Sequence, residues 1–159
     1  MVNISLAGPP NALLEEAVRR AVARGVLVVA AVGNDGPAAP PRYPAAYPDV
    51  IGVTAVDGGG VIYRRAARGS HVDLAAPGVN VVAASAPNSY QPATGTSFAA
   101  PAVAAMLART HRRADAASAS RAVAEITARA RDAGAPVYGA GIAAVDAAAP
   151  TAQSPAGRR

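Results

Sequence analysis

The sequence predicts an α/β domain of three layers with a mainly parallel sheet. Two observations carry that expectation. The run from Val26 to Val32 is apolar without polar alternation, which fits a strand buried on both faces. A short strand and a helical pattern precede it, so strand, helix and strand follow one another within about thirty residues, as in a βαβ unit.

Val2 to Ala7 alternates apolar and polar residues, reads as the first strand, and is closed by Gly8-Pro9-Pro10. Asn11 is placed to cap a helix that runs to about Arg24, with Leu14, Val18 and Val22 on its buried stripe. Glu15 and Glu16 fall early in it and Arg19, Arg20 and Arg24 late, as the helix dipole favours, and Gly25 stops it. After the Val26–Val32 strand, further strands are expected at Val50–Val56, Val72–Leu74 and Val79–Ala84, with a turn at Asp57-Gly58-Gly59-Gly60. Phe98 to about His111 reads as a buried helix of small apolar residues, which places Pro101 in its first turn. A last helix is expected from about Ser120 to Ala133, with Val123, Ile126 and Ala130 on one face and Gly134 ending it.

The 159 residues suit one domain, expected over 1–149, with a disordered tail over 150–159. Apolar residues are mostly alanine and valine, with one Phe and no Trp, so the core rests on many small contacts rather than aromatic anchors. The net charge of +5 comes entirely from arginine over acid, but the arginines are dispersed and no aromatic residues interleave with them. That pattern argues against nucleic acid as a partner. No apolar run reaches the length of a membrane span, so no membrane partner is expected. The chain has no cysteine, which excludes thiolate chemistry and disulfides but leaves the compartment open. No signal-peptide pattern is visible at MVNISLAGPP.

Chemistry concentrates at Gly95-Thr96-Ser97-Phe98-Ala99-Ala100-Pro101. A serine at the start of a buried helix has its hydroxyl and N–H at the positive helix end, where an oxyanion would be stabilised. Locally, a serine that merely caps the helix accounts for the same residues. A second segment is Val29 to Gly36, which puts Asn34 just past the carboxyl end of a buried strand. There Asn34 is either a site residue or ordinary Asn-Asp-Gly turn chemistry. A nucleotide-binding reading is weak, because Gly33-Asn34-Asp35-Gly36 lacks the G-x-G-x-x-G spacing.

Taken whole, these motifs resemble the subtilisin-like serine proteases. GTSFAAP matches their nucleophile motif at every position, with Ala102 where the family often has a non-catalytic His. AVGNDG is similar to their oxyanion turn, VNISLAGPP to a strand bordering the substrate cleft, and YPAAYP with VIGV to a YPA-to-VIAV stretch. GSHVDLAAPG and the VYGAGI ending with Asp146-Ala147-Ala148 follow in the family's order, so the resemblance covers residues 2 to about 148. It implies a subtilisin-like fold and acyl-enzyme proteolysis, with Ser97 as nucleophile and Asn34 in the oxyanion hole. It also implies a peptide or protein substrate lying along Ser5, Leu6, Ala7, Gly8, Gly33 and Thr96. No cofactor is expected; calcium occurs in relatives, but no residues here mark a site. Family members are often secreted, which leaves localisation undetermined for this chain.

The family's D-x-G and HGTHVAG motifs, which carry the catalytic Asp and His, do not occur in the 159 residues. On the resemblance, the chain starts at about the fourth strand of the family's sheet and lacks its N-terminal strands. A serine nucleophile needs a base and a carboxylate that orients it. His71 sits where the family has a non-catalytic residue, and His111 lies about 21 Å along the helix from Ser97. Asp35, Asp57 and Asp73 read as turn or strand-end residues. Two readings follow: the nucleophile-bearing portion of an endopeptidase, with Asp and His from another segment or a second chain, or an inactive remnant with a structural or peptide-binding role.

Overall fold

The computed structural model describes residues 1–130. The expected Gly134 stop, the VYGAGI segment and the 150–159 tail lie outside the described residues.

Four strands form a parallel sheet in the order β1-β2-β3-β4: β1 Val2–Ile4, β2 Val28–Ala31, β3 Val50–Val56 and β4 Leu74–Pro77. Helix α1, Ala12–Ala23, joins β1 to β2. Strands β5 (Val81–Ser85) and β6 (Ser89–Ala93) form a separate antiparallel ribbon, followed by helices α2 (Thr96–Thr110) and α3 (Ala116–Arg129).

The three expected layers follow from how β2 divides its side chains. Val28, Ala30 and Val32 face Val18 of α1, with Leu14 and Val22 packed alongside. Leu27, Val29 and Ala31 face the other way, onto Ala99, Ala100, Val103 and Leu107 of α2 and Ile126 of α3. Every residue of β2 and β3 is buried, as a strand covered on both faces requires. The small side chains let α2 lie close to the sheet. A Cβ on Gly78 would meet Ala99 Cβ at 3.0 Å and Ala55 Cβ at 2.8 Å.

The Asn11 side chain caps α1 by accepting from the Leu14 N–H at 3.0 Å, and the Tyr47 hydroxyl bonds both to the Asn11 N–H and to its carbonyl. Gly25, at φ +76°, turns the chain after α1 so tightly that a Cβ there would fall inside the Asp115 backbone. Asp115 in turn caps α3, accepting from the Ser118 N–H at 2.8 Å.

Several boundaries differ from expectation. β1 ends at Ile4, because Ser5 turns its polar groups toward α2. β4 lies at Leu74–Pro77 rather than at Val72–Leu74, since Asp73 pairs with Gly52 through its own carboxylate. β6 carries no clear alternation and was not expected from its sequence. α3 starts at Ala116, four residues earlier than expected, on the Asp115 cap. α2 starts at Thr96 rather than Phe98, which puts Pro101 in its second turn instead of its first.

Candidate active site

Two strand ends and a helix start meet at one point. Beyond β2, Gly33 (φ +103°) turns the chain, and its N–H donates to Thr96 Oγ1 at 3.2 Å. Beyond β4, the Gly78 carbonyl accepts the Gly95 N–H at 2.8 Å. Both strands are parallel, so both contacts lie at the carboxyl end of the sheet, where open α/β folds place their sites.

Gly95 caps α2 without a side-chain bond, so Ser97 does not act as the capping serine. Of the first-turn donors, the Thr96 N–H is met by a remote group and the Phe98 N–H by the Gly95 carbonyl. Asn34 Oδ1 accepts the Thr96 N–H at 3.0 Å. With its oxygen committed there, the Asn34 amide turns its Nδ2 donors outward, past Gly95, where an added Cβ would stand 3.3 Å from Nδ2. Among the described residues, neither Asn34 Nδ2 nor the Ser97 N–H has a protein partner. Unspent donors and a half-buried hydroxyl at a helix N-terminus are groups that could stabilise developing negative charge.

Ser97 Oγ donates to the Ser5 carbonyl at 3.0 Å, and Ser5 Oγ donates to the Ser97 carbonyl at 2.9 Å. Of the expected substrate-contacting residues, Ser5 is half-buried at Ser97, while Leu6 and Ala7 are exposed beyond it. Gly8 forms a two-bond antiparallel bridge with Tyr43. Gly33 backs the turn, and Thr96 is fully buried with its hydroxyl engaged by Gly33. Arg42, which the sequence did not single out, lays its stem against Gly33 and bonds Asp35 Oδ2 through Nη2 at 2.7 Å. No sequence signal marks it, because its partners depend on the 33–42 loop.

Neither histidine serves Ser97. His111 caps the far end of α2 and is buried, with both ring nitrogens unpartnered. His71 precedes β4 beside Gly52, near the amino ends of the strands and hence at the opposite end of the sheet from Asn34. Its ring nitrogens are also buried without partners, and burial lowers its pKa. The three aspartates are occupied locally. Asp35 pairs with Arg42, Asp57 accepts from the N–H groups of Gly59 and Val61, and Asp73 accepts from the Gly52 N–H. Burial raises the Asp73 pKa, and the Gly52 bond pulls the other way. Among the described residues, no group of three or more His, Cys, Asp or Glu side chains could hold a metal ion. No helix among them is long and apolar enough to cross a membrane.

Comparison with known proteins gives the family and the fold. A family model described as the Subtilase family matches residues 1–144. The chain is 39% identical over 109 residues to the Minor extracellular protease Epr of Bacillus subtilis, covering 68% of this chain and 17% of that protein. It is 44% identical over 105 residues to Subtilisin Savinase of Lederbergia lenta, covering 65% of this chain and 39% of that one. The chain therefore spans well under half the length of these relatives. Among solved structures, one titled S41 Psychrophilic Protease matches with a TM-score of 0.78 at 28% identity, covering 91% of this chain and 57% of that chain. The Prenylagaramide maturation protease PagA matches with a TM-score of 0.76 at 23% identity, covering 90% of this chain and 58% of that chain, a likeness of fold.

Proposed function

Since the chain belongs to the subtilase family, we propose that it carries the nucleophile and oxyanion-hole portion of a serine endopeptidase. Ser97 Oγ attacks the peptide carbonyl, and its proton passes to a base that this chain does not supply. The carbonyl oxygen, now an oxyanion, accepts from the Ser97 N–H and Asn34 Nδ2. The base returns the proton to the leaving amine as the C–N bond breaks, and water then hydrolyses the acyl-enzyme by the same steps. Ser5 to Gly8 and Gly33 border the bound peptide or protein chain, while Thr96 supports the hole from behind. The base and its orienting carboxylate belong to a further segment or a second chain.

The observation that supports this reading is the Asn34 amide, whose oxygen is fixed by the Thr96 N–H while its nitrogen lies beside Gly95, two residues before Ser97. A simple turn asparagine would have no reason to bind the start of a helix 62 positions away.

A second reading, a binding module without activity, is favoured by one contact: the Ser97 hydroxyl donates to a backbone carbonyl rather than to a base. A fluorophosphonate probe separates this chain's part from the whole reaction. The 159-residue chain alone is expected not to label, since loss of the nucleophile or the histidine costs about 2 × 10⁶ in kcat in subtilisin, itself a relative. Stoichiometric labelling that disappears in Ser97→Ala would contradict the assignment of the base to another segment.

A further inference from the structure

Pro101 has no N–H, and it stands four residues after Ser97 in the second turn of α2. The helical donor for the Ser97 carbonyl is therefore missing. That carbonyl is nevertheless bonded, because the Ser5 hydroxyl, 92 positions away, donates to it at 2.9 Å. Any residue other than proline at position 101 would offer its own N–H to the same oxygen, and the Ser5 hydroxyl would have a competitor.

The consequence lies in which peptide units are held. The unit before Thr96 is clamped through its N–H by Asn34 Oδ1, and the unit after Ser97 is clamped through its carbonyl by Ser5 Oγ. Between them lies the unit that presents the Ser97 N–H, which has no partner among the described residues. The Ser97 hydroxyl is oriented from the same side, by the Ser5 carbonyl at 3.0 Å.

We propose that Ser5 is a positioning residue: in place of the helical bond that Pro101 cannot make, its hydroxyl holds the Ser97 carbonyl and so fixes the direction of the Ser97 N–H. The proposal rests on the assignment of Ser97 and its N–H made above. Ser5 acts through Ser97, separately from any contact its backbone makes with a substrate.

The chain has no cysteine, so Ser97→Cys carries the only thiol and reports on the site without needing a base. Alkylation by iodoacetamide is followed against pH in Ser97→Cys alone and combined with Ser5→Ala or Ser5→Thr. Ser5→Ala is expected to slow alkylation about three- to tenfold near pH 7 and to move the profile to higher pH, a tenfold change corresponding to one pKa unit. Ser5→Thr, which keeps the hydroxyl, is expected to restore it. Adding Pro101→Ala, which supplies an N–H to the Ser97 carbonyl, is expected to shrink the Ser5→Ala effect.

An unmoved profile in Ser5→Ala, even with lowered stability, would overturn the proposal, as would an equal Ser5→Ala effect with and without Pro101. If Ser97→Cys itself titrates as an ordinary thiol, the oxyanion assignment fails instead. Ser5 is then judged on the ¹³C resonance of the Ser97 carbonyl in the otherwise native chain. A shift in Ser5→Ala that returns in Ser5→Thr supports the clamp, and an unchanged resonance overturns it.

Discussion

At the scale of single residues, the site is a matter of which donors are spent and which are left. Asn34 spends its oxygen on Thr96, Thr96 spends its hydroxyl on Gly33, and Ser5 and Ser97 spend theirs on each other. What remains, among the described residues, is the Ser97 N–H and the Asn34 Nδ2 beside Gly95. The places of Ser97 at a helix start and of Asn34 past a strand end were legible from GTSFAAP and AVGNDG, because each motif is contiguous. The Ser5 clamp was not, because it joins positions 92 apart and depends on where α2 begins.

His71 gives a prediction at the same scale. Burial holds its pKa below 6.5, with both ring nitrogens unpartnered. Above that pH the imidazole is neutral in folded and unfolded chain alike, and stability is full. As pH falls through 6.5 toward the lower folded value, the unfolded chain takes up the proton first and stability is lost. Urea midpoints measured from about pH 7.5 down to about 5.5 should fall, and more steeply than in His71→Gln. Equal slopes would remove His71 from the account.

At the scale of elements, apolar pattern was a good guide and caps decided the boundaries. The α1 stripe and the Val50–Val56 strand were readable because burial alone determines them. The start of α2 was misplaced because its cap is a glycine whose helix is supported by a remote asparagine. The start of α3 was misplaced because Asp115 caps it ahead of the first strongly apolar position. The join between α1 and α3 is where backbone geometry is least forgiving. Gly25→Ala must place a side chain at positive φ against the Asp115 backbone, and should cost more than about 1 kcal/mol in urea unfolding. Asn11→Ala, which removes only the α1 cap, should cost about 1 kcal/mol. Leu107→Ala, emptying a fully buried site between α2 and the sheet, should cost about 2–5 kcal/mol.

At the scale of the whole molecule, the layer order was legible because a run like Val26–Val32 has to be covered on both faces. How the sheet ends was less so. Among the described residues, strand β1 forms one edge of the four-stranded sheet and pairs only with β2, with Val2 exposed on it and Leu6 exposed just beyond it. An uncovered edge with apolar side chains favours pairing with another chain. Light scattering at rising concentration should therefore show self-association, and Val2→Lys should suppress it; a monodisperse chain at all concentrations would argue otherwise.

The central claim is that this chain alone builds an anion-stabilising site at the start of α2. The most direct measurement is the pH dependence of thiol reactivity in Ser97→Cys, with and without Asn34→Ala. A preformed site predicts a midpoint below the ordinary thiol value of about 8.5, moving back toward it when Asn34 is replaced. A midpoint at the ordinary value, unchanged by Asn34→Ala, would contradict the claim.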